Sequence, residues 1–146
     1  MRKILTIAFA AVALAFCACK EDKELAVKEG NIVGTWELYK EVFESGSSKI
    51  VNGEWGKDSG SRLIFEFRKG GTGTETSMEY FSGNWDIETY DFTYSLKNNK
   101  LTITDEDGDS ETITVDELTS GRLVLLERIV DGNESASYRM YLKRTE

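Results

Sequence analysis

The stretch "RLIFEFRKGGTGTETSMEY", Arg62 to Tyr80, decides how the fold is read. Leu63, Phe65 and Phe67 alternate with Glu66 and Arg68. That period of two sends apolar side chains to one face of a strand and charge to the other. Gly70-Gly71 interrupts the run, and a threonine-rich run, Thr72 to Tyr80, follows. Two β-prone runs joined across a glycine pair predict a hairpin.

The same pattern extends outward in both directions. Upstream, Val33 to Phe43 puts Trp36, Leu38 and Val42 on one face. Downstream, Trp85 and Ile87 are in one phase while Phe92, Tyr94 and Leu96 are in the other. This shift predicts either a bulge near Thr89 to Asp91 or two short strands. Four further runs follow: Lys100 to Asp105, Glu111 to Leu118, Arg122 to Val130 and Ser135 to Lys143. Their connections, "KNNK", "EDGDS", "TSG" and "DGNE", have tight-turn chemistry. No long run reads as a helix. Eight sequential runs predict an all-β protein, and closing the sheet removes its exposed edges. The expected fold is an eight-stranded antiparallel up-and-down barrel, with a two-layer β-sandwich as the alternative.

The N-terminus carries a different signal. Met1-Arg2-Lys3 is basic, and Ile4 to Phe16 is an uncharged run of thirteen residues. A bilayer span needs about 20 apolar residues, whereas a secretory h-region runs roughly 7–15. The stretch Phe16-Cys17-Ala18-Cys19 resembles a bacterial lipobox, with small residues before the cut and the lipidated cysteine after it. Cys19 fits that frame, while bulky Phe16 directly precedes Cys17. Lys20-Glu21-Asp22 resembles the signal that sends some lipoproteins to the outer face of the outer membrane, and it also reads as a plain solvated tether. The organisation read from this is a signal peptide over 1–18, a lipidated cysteine and charged tether over 19–30, and a domain over 31–146. The expected location is the outer membrane of a Gram-negative bacterium, with Cys19 as the anchor to the membrane.

Composition narrows the function. Cleavage before Cys19 removes Arg2 and Lys3 of the 18 basic residues and none of the 26 acidic ones, leaving 16 against 26, a net charge of −10. Acidity of that size argues against nucleic acid, whose phosphates need clustered Lys and Arg. The chain has no histidine, which excludes a serine triad, a cysteine–histidine dyad and an imidazole metal site. No catalytic constellation is legible, no cofactor is implied, and the expectation is a protein that is not an enzyme.

A resemblance sharpens the fold. "NIVGTWEL", Asn31 to Leu38, resembles the opening of lipocalin and lipocalin-like domains, a Gly-x-Trp motif on the first strand that Gly34 and Trp36 fit. The order of "LIFEFRKGGTGT", "YSLKNNKLTI", "ELTSGRLVLLE" and "YRMYLKR" is similar to that of bacterial lipocalin-like lipoproteins, over roughly Asn31 to Arg144. The resemblance implies an arginine near the end of the last strand that packs on the tryptophan and closes the barrel floor. Arg144 shares the phase of Met140 and Leu142, whereas Arg139 is in the opposite phase.

Candidate sites collect at the barrel's open end. Trp55 sits in a polar, glycine-rich stretch beside Val51 and Asn52, and Tyr80-Phe81 lies at the next opening. Aromatics there read as a ligand platform, as a lid packed on the core, or as part of an extra short hairpin. "DEDGDSE", Asp105 to Glu111, sets Asp105, Asp107 and Asp109 at alternate positions, which partly resembles a calcium loop but also reads as an acidic hairpin turn. Tyr90, Tyr94 and Tyr138 are placed to point inward, as core filling or polar handles. The reading is a binding module for a small apolar or amphipathic ligand, or for an envelope protein or glycan. The alternative is an accessory subunit whose barrel is filled with side chains.

Overall fold

The computed structural model describes residues 23–145 apart from 54, 57 and 133, so Cys17, Cys19 and Lys20-Glu21-Asp22 lie outside the described residues. Nine strands follow in order: β1 (Gly34–Ser45), β2 (Ser48–Asn52), β3 (Ser61–Arg68), β4 (Thr72–Phe81), β5 (Asn84–Lys97), β6 (Lys100–Thr104), β7 (Ser110–Leu118), β8 (Arg122–Asp131) and β9 (Glu134–Thr145). From β3 onward each strand pairs antiparallel with the next, and β1 pairs with both β3 and β9. The β1–β9 seam runs from Thr35↔Thr145 to Ser45↔Ala136 and closes the ring. β1 and β3–β9 therefore form a closed eight-stranded antiparallel barrel, and the sandwich alternative is excluded.

β2 is the strand that the sequence pattern did not count. It pairs only with Glu41 to Ser45 of β1, and every one of its residues is exposed. A strand that buries neither face has no alternation to announce it.

Two phase expectations are overturned. β5 is one strand paired with β4 from Thr72↔Thr93 to Phe81↔Asn84 with no register shift, so there is no bulge near Thr89 to Asp91. Phe92 and Tyr94 face the core, which puts Trp85 and Ile87 on the outer wall. The bulge lies in β1 instead, between Leu38 and Lys40. The extra residue, Tyr39, reverses the phase beyond it, so Val42 does not share the inward face of Trp36 and Leu38. Val42 is turned outward opposite Arg139, and Glu41 and Phe43 turn in.

The turns at 68–72, 97–100 and 118–122 mark the base, and the tips at 45–48, 81–84, 104–110 and 131–134 mark the mouth. The base half is packed solid. Phe67 sits in an aromatic group with ring centroids 6.3 Å from Phe65, 5.6 Å from Phe92 and 5.0 Å from Tyr94. Gly73 makes room for it: a Cβ there would lie 2.2 Å from the Phe92 ring and 2.6 Å from the Glu66 carbonyl oxygen. The segment before the barrel covers the floor. Leu25 N–H donates to the Leu118 carbonyl at 2.8 Å, Leu25 and Val27 pack on the core, and Ile32 is buried at the end of the single turn α1 (Glu29–Ile32). Part of the stretch read as tether thus rests against the barrel.

Candidate functional site

The barrel interior has three levels. At the floor, Trp36 is wholly buried and its indole N–H donates to the Ile32 carbonyl at 2.8 Å. The Arg144 guanidinium lies 4.1 Å from the centroid of the Trp36 ring. It donates to the carbonyls of Ser120 (2.9 Å), Val33 (2.8 Å) and Asn31 (3.1 Å). Burial lowers the Arg144 pKa from its ordinary value. Gly34 has a φ of +139°, and a Cβ there would lie 2.2 Å from Arg144 Nη1. Gly34, Trp36 and Arg144 are in this way brought into one floor plate.

At mid-height the β1 bulge matters most, because it turns Glu41 into the barrel. Trp55 leaves its loop, packs on the core and donates its indole N–H to Glu41 Oε2 at 2.6 Å. Tyr138 Oη–H donates to Glu41 Oε1, and Asn52 Nδ2–H donates to Glu41 Oε2 at 3.3 Å. One inward carboxylate therefore collects three donors, from β2, from the segment between β2 and β3, and from β9.

Above this level the wall changes character. The inward positions of β4 and β5 carry Glu75, Ser77 and Glu79, and Asp86, Glu88 and Tyr90. Glu111 on β7 and Glu127 on β8 share that inward phase. No lysine or arginine occupies an inward position in the mouth half of any described strand. Tyr90 Oη–H donates to Glu88 Oε2 at 2.9 Å, which raises the Tyr90 pKa, as that carboxylate's charge also does. Burial and the neighbouring charge of Glu111 push the Glu75 carboxyl above its ordinary value. Two open hollows lie in this collar, about 150 Å³ against Ser77, Glu79, Asp86 and Glu88 and about 250 Å³ against Ile103, Asp105, Asp109, Ser110 and Glu111.

The other candidates disperse. Tyr80 is on the outer wall, its ring 5.3 Å from that of Trp85, and Phe81 stands at the β4–β5 tip, 79% exposed. Tyr94 is buried in the floor and donates to the Arg68 carbonyl at 2.8 Å. Asp105 is occupied in its own turn, its Oδ1 accepting the N–H groups of Asp107 (3.0 Å) and Asp109 (2.9 Å). Among the described residues no three His, Cys, Asp or Glu side chains are grouped to hold a metal ion. Sequence reasoning missed Glu41 and the acidic collar. The collar's signal was present in Glu75, Glu79, Asp86 and Glu88, but reading Trp85 and Ile87 as the inward pair assigned the latter two to the outside.

Comparison with known proteins places the chain in a family. A family model described as a lipocalin-like domain matches residues 32–125. No curated protein matches the chain. Among solved structures, japanin from Rhipicephalus appendiculatus bound to cholesterol is similar at 12% identity and a TM-score of 0.47, covering 79% of this chain and 78% of its own. Lobster apocrustacyanin A1 is similar at 12% identity and a TM-score of 0.48, covering 84% of this chain and 72% of its own. The chain belongs to the lipocalin-like domain family.

Proposed function

We propose that this chain is an exported, lipid-anchored binding module that takes a small amphipathic ligand at the barrel mouth, apolar part downward and cationic or donor-rich part in the collar. The observation that carries the reading is the inward wall: a ring of carboxylates without an inward lysine or arginine, set directly above an apolar floor. Glu75 is half-buried and faces the charge of Glu111, so a cationic group entering the collar relieves repulsion between them. Ligand pockets combine an apolar lining with a few convergent polar groups, and Glu41 with Tyr138 and Trp55 supplies them here.

Dodecyltrimethylammonium, dodecyl sulfate and dodecyl maltoside, each below its micelle concentration, test this through quenching of tryptophan fluorescence. The cationic probe should bind at least tenfold tighter than the sulfate, and Glu41→Gln with Glu75→Gln should erase the preference. Equal binding of all three removes the collar's role. A second reading, an accessory subunit without a ligand, is favoured by the solid packing around Phe67, and absence of binding by any of the probes would support it.

Anchoring rests on the sequence. One acyl chain holds a protein to a bilayer only marginally, whereas a multiply acylated Cys19 would hold firmly. Cys19→Ser should move the chain from the membrane fraction to the soluble one, and loss of a lipid-sized mass from the N-terminus should accompany the move. Replacing Lys20, Glu21 and Asp22 by alanine should abolish cleavage by protease added to whole cells if those residues direct surface display.

A further inference from the structure

β5 is longer than the strand that covers it. β6 pairs only with Thr93 to Lys97, so among the described residues the second edge of Asn84 to Phe92 has no strand beside it. The barrel wall is notched there, between the upper half of β5 and the short β6–β7 hairpin. At the foot of the notch, where Thr93↔Thr104 is the last pair, lies a hollow of about 380 Å³, with Arg68 on one side, near Asp91, and Thr104, Asp105 and Glu106 on the other. An exposed strand edge presents a row of unpaired N–H and C=O groups and is a template for another strand.

The side chains beside this edge define what fits. Asp86 and Glu88 point inward, and the facing turn adds Asp105, Glu106 and Asp107. Outward, Trp85 and Ile87 present an apolar row, with Ile87 55% exposed. Aligned carboxylates on an edge repel a second copy of the same strand, since like charges would lie across the new ladder. They attract a basic one.

We propose that the upper edge of β5 is a docking site for an extended basic segment of a partner protein, added as a further strand. Its lysine or arginine side chains face Asp86 and Glu88, its apolar side chains lie beside Trp85 and Ile87, and its end enters the hollow at Asp91. Main-chain hydrogen bonds supply affinity in this mode and the alternating side chains supply selectivity. The docking edge shares Asp86 and Glu88 with the collar, but it uses neither Glu41 nor the apolar floor, and strand pairing does not depend on a small ligand binding there.

The full chain titrated with a labelled nonapeptide of alternating lysine and valine tests the proposal. It should bind at least tenfold tighter than the glutamate–valine peptide, and hydrogen exchange of the Asn84 to Phe92 amides should slow. Two N-methylated versions separate strand pairing from mere charge attraction. Methylation at one set of alternate residues should weaken binding at least tenfold, and methylation at the other set should not. The double variant Asp86→Lys, Glu88→Lys should lose binding while its circular dichroism stays unchanged; if it misfolds, the methylated pair decides. No binding, equal effects of both methylations, or a β5-joined dimer of the peptide-free chain would overturn the assignment.

Discussion

Arg144 binds the floor together through one planar group, which spans the face of Trp36 and three main-chain carbonyls from two segments. Charge-assisted hydrogen bonds contribute about 1.5–3 kcal/mol each when buried partners would otherwise be orphaned, though such contributions do not add in full. Arg144→Ala should therefore cost about 3 kcal/mol of stability in urea unfolding, and Arg144→Lys should recover only a minor part, because an ammonium cannot reproduce the guanidinium's fork. Gly34 is coupled to it. Gly34→Ala forces a methyl to within 2.2 Å of Arg144 Nη1 and strains a φ of +139°. In the Arg144→Ala background the clash is gone and the backbone strain remains. A double-mutant cycle should thus give a coupling of about 1 kcal/mol or more. Additive costs would mean that the two residues do not meet. The family resemblance pointed to Gly34, Trp36 and an arginine near the chain's end, and phase chose Arg144 over Arg139. Glu41 was not legible, since a one-residue bulge reverses every side chain after it and leaves no mark in composition.

At the scale of the strand, β5 shows how alternation can mislead. Its base half reads apolar-in, with Phe92 and Tyr94 buried, and its mouth half reads apolar-out, with Trp85 and Ile87 on the wall and Asp86 and Glu88 inside. A sequence reader who assumes one apolar face must insert a bulge to reconcile the halves. The strand has none, because in its mouth half there is no dry core for an inward aromatic to join. The two aromatics should therefore differ sharply in worth. Phe92→Ala opens a cavity beside Phe67 and Gly73 and should cost about 3–4 kcal/mol. Trp85→Ala removes a cross-strand contact with Tyr80 on the outer wall and should cost about 0.5–1 kcal/mol. Thermal unfolding of the two variants checks this, and near-equal losses would place Trp85 inside. β2 was illegible for the complementary reason: Ser48 to Asn52 is exposed throughout, so pairing with β1 rather than burial makes it a strand.

For the molecule as a whole, closure and charge pull in opposite directions. The β1–β9 seam gathers the strands into one ring, and the same ring draws inward carboxylates on β4, β5, β7 and β8 toward a common axis. Glu75 registers the cost, its carboxyl pushed up first by burial and then by Glu111. A carboxyl raised on folding holds more protons in the native chain than in the unfolded one across the window between its two pKa values. Stability is therefore complete below the ordinary value of 4.5 and falls as pH climbs from there through the raised native value. Glu75→Gln removes that loss while keeping nearly the same shape. At pH 7 the variant should be more stable than the parent by about 0.5 kcal/mol, a figure held small because the carboxyl is only half-buried. Near pH 4, where the parent's own Glu75 is largely neutral, the two should converge. Urea titrations at both pH values check this. A gain that persists unchanged at pH 4 would trace to packing, and a loss at pH 7 would mean that the charged carboxylate has a stabilising partner in the collar. Glu111→Gln should give a smaller gain over the same window, because it removes the second cause and leaves the first.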